Sequence, residues 1–256
     1  MSEVRTHASV HRLDDGTRRE HDAGAVVALA SVGKVLLLAE VARGLVQGDL
    51  DEAEPVPLTD EDRAVGGTGM LRALSPRTWT VADLAVAVAT VSDNAATNAL
   101  LRRIGLEPVR RLARQQGLMR TSVHDRIRDQ RGPGEPETFA SGTVAELAAF
   151  MSDVESGRLV SADVARRVKS WMTGNVDRSL VADPISREPP GAFGVANKTG
   201  TDTGVRADVG IVTGASTVAY AVVSTAPPGG EAGCVVSLRE WGERVARLAA
   251  EPSSGP

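Results

Sequence analysis

The stretch Ala30-Ser31-Val32-Gly33-Lys34 runs directly into the apolar segment Val35-Leu36-Leu37-Leu38. Its apolar positions recur at three- and four-residue steps, which predicts a helix from about Ser31 to Gly48. Residues i and i+3 of a helix lie on one face, with Cβ atoms roughly 5–6 Å apart, so the Lys34 amine can reach the Ser31 hydroxyl. A desolvated lysine can take a serine proton, and N–H groups at a helix N-terminus can bind an oxyanion. Ser31 and Lys34 are therefore a candidate nucleophile and base.

Two further motifs follow in order, Ser92-Asp93-Asn94 and Lys198-Thr199-Gly200. Ser92 comes at the predicted end of a helix, where its hydroxyl could relay a proton to a leaving group. Lys198 and Gly200 share one face of a predicted strand, and Gly200 allows a substrate or another backbone to approach closely. An edge strand here could bind an amide substrate by strand addition. Each motif alone is also typical of an ordinary cap, turn or surface lysine, so the hypothesis depends on all three together.

The composition is that of a globular protein, because 42% of the 256 residues are hydrophobic and 24% are charged. A net charge of -4, with scattered arginines, gives no reason to expect a nucleic-acid partner. The single cysteine, Cys234, excludes an internal disulfide framework and a multi-cysteine metal site. We expect neither a metal nor another cofactor, since no metal-ligand spacing relates the histidines, which are His7, His11, His21 and His124.

The first residues, Met1 to His7, lack the apolar segment of a secretory signal. The longest apolar stretch, Ala23 to Ala30, is too short to span a bilayer. We therefore expect a cytoplasmic protein without a membrane partner, or a secreted one if a leader has been removed.

Period-two strand patterns lie at both ends of the chain, and helical patterns fill the middle. This arrangement predicts an α+β fold whose antiparallel sheet is formed by both chain ends. We expect a single domain over 1–256, with a sheet lobe from 1–30 and 190–256 and a mostly helical lobe from 31–189. The strands are expected at 7–13, 18–22, 194–199, 207–213 and 217–225, and the helices at 31–48, 81–91, 95–104, 108–116, 144–156, 161–172 and 241–250. Residues 49–69 and 120–141 are interpreted as loops.

Ser31-x-x-Lys34, Ser92-Asp93-Asn94 and Lys198-Thr199-Gly200 together resemble the three signatures of class A β-lactamases and penicillin-binding proteins. The resemblance covers roughly residues 7–250, and it implies a three-layer β-lactamase/transpeptidase-like fold. Further similar segments are Gly67 to Leu71, Thr90 to Asn98, Trp171 to Asn175 and Gly204-x-Arg206-x-Asp208.

The resemblance implies a serine hydrolase or acyltransferase that needs no cofactor. Ser31 would form an acyl-enzyme with a small lactam, amide or ester, and the main-chain N–H groups of Ser31 and Thr201 would form the oxyanion hole. Ser92 would pass a proton to the leaving nitrogen, and Asn94 would bind a substrate amide. The family pattern also implies that Lys198 and Thr199 hold a substrate carboxylate with the assistance of Arg206, and that Gly200 and Thr201 belong to the substrate-binding residues.

One departure concerns the loop glutamate that activates the deacylating water in class A enzymes. Alignment of Asp125-Arg126 with the family's Asp-Arg pair places Arg128 at the glutamate position. Asp129, Glu135, Glu137 or Lys34 could substitute, and the spacing selects none of them. Asp202 also stands where the family often has glycine, and the turn to Gly204 is about one residue short. We therefore expect fast acylation and slow hydrolysis of penicillins.

Two alternatives stay open beside this hydrolase. The chain could be a genuine β-lactamase that lacks its export leader, or a non-catalytic protein that binds a β-lactam-like ligand. Retention of both Lys34 and Ser92 argues against the binding protein. The natural substrate, the deacylating base and the oligomeric state stay open at this point.

Overall fold

The computed structural model describes residues 3–189 and 191–252 of the chain. The strands within these ranges are β1 (Arg5–Arg12), β2 (Arg18–His21), β3 (Val27–Ala28), β4 (Pro55–Pro57), β5 (Thr78–Thr80), β6 (Ser122–Val123), β7 (Ala140–Gly142), β8 (Gly194–Asp202), β9 (Val205–Thr213) and β10 (Thr217–Thr225). The α-helices are α1 (Lys34–Gln47), α2 (Asp60–Arg63), α3 (Val81–Val91), α4 (Asn94–Ile104), α5 (Leu106–Gln115), α6 (Val144–Glu155), α7 (Ala162–Thr173), α8 (Asp183–Ser186) and α9 (Glu231–Ala250).

The main sheet has the strand order β2-β1-β10-β9-β8, and all of its neighbours are antiparallel. Val10 of β1 lies opposite Tyr220 of β10, so the early strand is inserted beside the late ones. This topology confirms the prediction of an α+β fold with a sheet built from both ends of the chain. The edge strand β8 leaves one side of Lys198-Thr199-Gly200 free of a neighbouring main-sheet strand.

Two hydrophobic cores lie on opposite faces of this sheet. Ala219 and Ala221 of β10 belong to the larger core, which also contains the buried residues of α1, α3, α4, α6 and α7. Val218 and Tyr220 belong to the smaller core, together with Trp241 and the other buried side chains of α9. The alternation follows from the two-residue period of a strand. Helices on one face, the sheet, and α9 on the other face make up the expected three layers.

Helix α1 lies in the middle of the larger core. Every residue from Lys34 to Ala42 is buried, which is unusual for a surface helix and suits a central one. Gly48, which follows the helix in the left-handed region with a φ of 80°, ends it where the sequence predicted. The central helix thus carries Lys34 on its first turn and holds it away from solvent.

The structure corrects several predicted boundaries. Helix α9 begins at Glu231 rather than near Trp241. Ser237 lies within its second turn, and the Ser237 and Thr6 hydroxyl oxygens are 2.7 Å apart. The loop predicted for 49–69 contains strand β4 and the short helix α2, and the loop predicted for 120–141 contains strands β6 and β7. In the described ranges, no helix is both long enough and apolar enough to cross a membrane.

Candidate active site

Ser31 lies in a 3₁₀ turn, Ala30–Gly33, and the α-helix begins only at Lys34. The prediction of an α-helix from Ser31 is therefore wrong by one turn. Ala30 has a φ of 46°, a conformation that a non-glycine residue adopts at a cost. A Cβ on Gly33 would lie 2.4 Å from the Cβ of Ala140, so the turn is pressed closely against β7. These contacts fix Ser31 at the N-terminal end of the central helix.

Strand β8 passes very close to the same turn. A Cβ on Gly200 would lie 2.9 Å from the main-chain nitrogen of Ser31, and equally close to Leu29 O and Val32 N. Only glycine leaves room for this approach. The next residue of the strand, Thr201, lines the cavity that Ser31 also lines. The main-chain N–H groups of Ser31 and Thr201 thus belong to adjoining segments, as an oxyanion site requires.

Lys34 has no exposed surface and reaches three oxygen atoms with its amine. Nζ donates to Ser92 O at 2.7 Å and to Asn94 Oδ1 at 2.7 Å, and lies 3.1 Å from Ser92 Oγ. Burial, reinforced by the charge of Lys198 and opposed by Asp93, lowers the pKa of Lys34 well below the ordinary lysine value. The neutral form of this amine is therefore easier to reach than that of an exposed lysine.

The Ser92-Asp93-Asn94 turn connects α3 and α4. Ser92 has a φ of 55°, and Asp93 caps α4 by accepting a hydrogen bond from Ala96 N at 2.9 Å. The other carboxylate oxygen of Asp93 accepts from the main-chain nitrogens of Met70 and Leu71 at 2.6 and 2.9 Å. Asp93 is therefore a structural brace that holds a neighbouring loop over the turn.

Asn94 contributes to the same brace and to the site. Its Oδ1 accepts from Lys34, and its Nδ2 donates to Gly66 O at 2.8 Å. Asn94 lines the larger cavity, and its Nδ2 has a second proton that a substrate carbonyl there could accept. This placement suits the substrate-binding role that the sequence predicted.

Lys198 is fully buried, and its Nζ donates to the main-chain oxygen of Thr199 at 2.8 Å. Burial lowers the pKa of Lys198 to about 8, against the opposing charges of Asp177 and Asp208. The Thr199 hydroxyl donates to Asp177 Oδ2 at 2.7 Å. Sequence analysis missed Asp177, since no local pattern marks it beyond its place two residues after the similar segment Trp171 to Asn175.

Two adjoining cavities open at these residues. One has a volume of about 440 Å³ and the other about 170 Å³, and both are lined by Ser31, Thr68 and Thr201. Ser92 and Thr199 line the smaller cavity, whereas Asn94 lines the larger one. The structure therefore brings most of the predicted site residues to one cleft between the edge strand and the helical layer.

Arg206, like Lys34, Lys198 and Gly200, is absent from the walls of both cavities. Its Nη1 donates to the main-chain oxygens of Asp202 and Val205 at 2.8 and 2.7 Å, and it lines neither cavity. Arg206 faces Thr201 across the β8–β9 ladder, but its guanidinium supports the turn at the end of that ladder. The structure thus gives it a local role rather than a place at the cavity wall.

The loop before β7 presents Arg128 to the larger cavity. The Arg128 guanidinium contacts Asp125 Oδ2 at 2.5 Å and Glu135 Oε1 at 2.9 Å. Burial raises the pKa of Asp125, but the hydrogen bonds from Arg128, Arg126 N and Arg131, with the charge of Arg128, together outweigh it and keep that pKa below the ordinary value. Asn98, a residue the sequence did not single out, pins the loop by accepting from Ile127 N at 2.8 Å. The loop is therefore held by an ion-pair network at the place where the glutamate was expected.

Three carboxylates were candidates to replace that glutamate. Asp129 lines the larger cavity with Ser31, but both of its oxygens accept from Gly66 N at 2.8 Å. Glu135 is engaged by Arg128 and by the main-chain nitrogen of Gly132, and Glu137 is exposed; neither lines the cavity. Asp129 is thus the one of these three that the structure brings to the cleft.

A family model described as Beta-lactamase2, the beta-lactamase enzyme family, matches residues 2–240. No curated protein matches the chain. The chain therefore has a clear family match that covers most of its length, including all three motifs.

Solved structures give a consistent view of the fold. A beta-lactamase from Sphaerobacter thermophilus has 22% sequence identity and a TM-score of 0.85, over 96% of this chain and 90% of that one. The structure of PBP-A has 20% identity and a TM-score of 0.84, over 95% and 89% of the two chains. A beta lactamase from Burkholderia vietnamiensis has 22% identity and a TM-score of 0.83, over 99% and 93%. At these identities the similarity establishes the architecture.

Proposed function

The chain belongs to the beta-lactamase enzyme family, and from that premise we propose that it is a serine hydrolase that forms an acyl-enzyme through Ser31. Its substrate is a small lactam, amide or ester. One observation carries the proposal: the buried Lys34 amine contacts Ser92, and Ser92 and Ser31 line the same cavity. A base of lowered pKa, a second hydroxyl and a cavity at a helix N-terminus are the parts that acyl transfer requires.

Acylation begins when neutral Lys34 removes the proton from Ser31 as Oγ attacks the substrate carbonyl carbon. The carbonyl oxygen becomes an oxyanion, and the main-chain N–H groups of Ser31 and Thr201 stabilise it. The bond to the leaving nitrogen or oxygen then breaks. The proton travels from Lys34 through the Ser92 hydroxyl, 3.1 Å away, to the leaving atom. Lys34 is neutral again at the end, so the protons balance.

Neutral Lys34 fits the hydrogen bonds around it. A neutral amine has two protons, and Ser92 O and Asn94 Oδ1 accept them at 2.7 Å each. Its lone pair is then free to accept a proton. The protonated amine would instead donate to Ser92 O, Asn94 Oδ1 and Ser92 Oγ, so these contacts fit both charge states. The lowered pKa of Lys34 is what supports its role as base.

Deacylation requires water to attack the Ser31 ester, and a base must take a proton from that water. Arg128, which stands at the expected glutamate position, is a cation paired with Asp125 and Glu135, so it cannot act as this base. Asp129 or Lys34 carries this step, and Asp129 is hindered because both its oxygens already accept from Gly66. We therefore expect deacylation to be slower than acylation. An amine or alcohol that reached the ester before water would complete an acyl transfer instead.

Intact-protein mass spectrometry tests the proposal. The protein is treated separately with penicillin G and with a p-nitrophenyl ester, and its mass is followed against time. We expect one acyl group per chain from at least one of the two reagents, present in the wild type and absent from Ser31→Ala. Ser170→Ala, which removes an exposed serine of α7, is the matched control and should still form the adduct.

The time course separates the possible outcomes. A lasting adduct supports slow deacylation, and loss of the reagent without an adduct supports faster turnover through the same serine if Ser31→Ala is inactive. An adduct that persists in Ser31→Ala, or no reaction with either reagent, would overturn the proposal.

A further inference from the structure

Asp177 lies in the loop between α7 and α8 and lines the smaller cavity with Ser31, Ser92 and Thr199. Its Oδ2 accepts the Thr199 hydroxyl proton at 2.7 Å, and its Oδ1 accepts the Ser179 hydroxyl proton at 2.7 Å. A carboxylate of the protein therefore already occupies the hydrogen-bonding position beside Thr199. The family resemblance had implied that Thr199, with Lys198, would hold a carboxylate of the substrate there.

The main chain of Asp177 is clamped from two sides. Its carbonyl oxygen accepts from Asn175 Nδ2 at 2.9 Å and from Asn197 Nδ2 at 3.2 Å. The two asparagines are joined by a further hydrogen bond of 3.0 Å, and both are buried. Because strand β8 carries Asn197, the clamp fixes Asp177 relative to the edge strand. These hydrogen bonds make the Asp177 carboxylate a fixed part of the cavity wall.

The groups around the Asp177 carboxylate determine its charge. Burial raises the pKa of Asp177, but hydrogen bonds from Ser179 and Thr199 and the charge of Lys198 together bring it below the ordinary value. Asp177 is ionised at neutral pH, and its negative charge balances the single positive charge of Lys198. A substrate carboxylate at this place would therefore add an uncompensated negative charge.

At this wall of the smaller cavity, the side-chain oxygens of Asp177 and Thr199 are hydrogen-bond acceptors. Thr199 has one hydroxyl proton, which it gives to Asp177, so that its oxygen has only lone pairs left for a ligand. Lys198 gives one amine proton to the main-chain oxygen of Thr199, and its fully buried side chain lines neither cavity. A group of the substrate that lies here must donate hydrogen bonds rather than accept them.

We propose that Asp177 determines specificity by rejecting acyl donors with a carboxylate on the leaving group and selecting uncharged leaving groups that carry an N–H or O–H donor. This inference rests on the proposed acyl-enzyme function. The covalent step is unchanged: Ser31 Oγ bonds to the acyl carbon, the ester C–O bond breaks, and the alcohol leaves with a proton delivered through Ser92.

A matched pair of esters tests the inference. Both contain the same phenylacetylglycyl acyl group, and the leaving alcohol is lactate in one and lactamide in the other. They differ only in a carboxylate against a carboxamide. We expect the wild type to cleave the lactamide ester with a kcat/KM at least about tenfold higher, because a like charge a few ångströms away raises the barrier for the lactate ester.

Asp177→Asn should shift the lactate-to-lactamide ratio of kcat/KM at least about tenfold toward lactate. Asp202→Asn removes the same charge from the wall of the larger cavity without touching Thr199, and should leave the ratio within about twofold of the wild type. Asp177→Thr also removes the charge, so an effect shared by both variants results from the lost charge and not from the new asparagine side chain. The ratio is measured within each preparation, so a loss of folded protein does not alter it.

The outcomes separate this inference from the proposed function. Cleavage of both esters with a wild-type preference for lactate, or an unchanged ratio in both Asp177 variants, would overturn the inference alone. Failure of every variant to cleave either ester, without an adduct on Ser31, would overturn the proposed function and the inference with it.

Discussion

The Nζ atom of Lys34 lies 3.1 Å from the hydroxyl of Ser92, although 58 residues separate them in the chain. The contact joins the first turn of α1 to the end of α3 inside the larger core. It places the proposed base, which has no exposed surface, beside the proposed proton carrier, which is 8% exposed and lines the smaller cavity. The same amine also donates hydrogen bonds to Ser92 O and Asn94 Oδ1, so it stabilises the fold in addition to its role in the proposed chemistry.

Lys34→Met should abolish most of the acylation while preserving the shape of the core. A general base contributes about 10²–10⁴-fold, and we expect the acylation rate to fall by that amount. Asn94 Oδ1 loses its donor, which should lower the free energy of unfolding by about 1–3 kcal/mol. Stopped-flow acylation and thermal unfolding measure the two effects. Lys169→Met, at a partly exposed lysine of α7, is the control, and equal acylation rates in the two variants would contradict the role of Lys34.

The pH dependence of the acylation rate should reveal the protonation state of Lys34. Only the neutral amine can accept the Ser31 proton, so the rate rises with pH through the Lys34 pKa and levels off above it. Because burial lowers that pKa well below the ordinary value, the rise should lie well below pH 10.5. A pH profile of single-turnover acylation tests this, and a rate that climbs only near pH 10.5 would contradict it.

Gly200→Ala should disable the site with little change in the remainder of the fold. Its Cβ would lie 2.9 Å from Ser31 N, Leu29 O and Val32 N, so strand and turn must separate. A shift of about 1 Å can cost 10²-fold in rate, and we expect a loss of about that size. Gly194→Ala is the control on the same strand, because its Cβ meets Thr213 at an ordinary 3.7 Å. Similar acylation rates in both variants would show that the close approach is unimportant.

Arg128→Glu should shorten the lifetime of the acyl-enzyme by about tenfold or more, because it places a carboxylate base at the wall of the larger cavity. Arg126→Glu makes the same charge change at a neighbour that pairs with Glu61 and does not line that cavity. Adduct decay by intact mass is the measurement. An unchanged lifetime in Arg128→Glu would mean that the glutamate position has been assigned wrongly.

Asp208→Asn should flatten the dependence of stability on pH. Burial raises the pKa of Asp208 to about 7, whereas an unfolded aspartate titrates near 3.9. The folded protein therefore keeps a proton that the unfolded chain releases, so this group's stabilisation is full below about pH 4 and is lost as pH rises through 7. The slope is at most about 1.4 kcal/mol per pH unit.

Urea unfolding at several pH values between 4 and 7 measures that slope in the wild type and in Asp208→Asn. Asp163→Asn, an exposed position on α7, is the control and should keep the wild-type slope. Identical slopes in the wild type and in Asp208→Asn would show that Asp208 does not titrate in this range.

The sequence predicted the elements whose signals are local. The hydrophobic period and the left-handed Gly48 mark α1, and the hydroxyls of Thr80 and Thr143 cap α3 and α6. The start of α9 was wrong because its first turn has no side-chain cap. Glu231 there accepts instead from Gly204 N at the β8–β9 turn, a contact that depends on tertiary structure.

The candidate site was predictable to the extent that it consists of short motifs. Ser31, Lys34, Ser92 and Asn94 belong to such motifs, and the structure brings them together. Asp177 does not, because its position beside Thr199 results from a loop that joins two helices and has no spacing rule. The pairing of Arg128 with Asp125 and Glu135 likewise depends on how an irregular loop closes on itself.

The insertion of β1 beside β10 has a consequence for biosynthesis. Strand β1 cannot pair with β10 until Tyr220, the partner of Val10, has been synthesised. At ribosomal speeds of about 5–20 residues per second, the delay between these two residues is on the order of ten seconds or more. Until then, Ala8 and Val10 have no second layer to cover them. The nascent chain thus presents an unpaired strand edge throughout most of its translation, and it should depend on a chaperone or on slow release for a good yield.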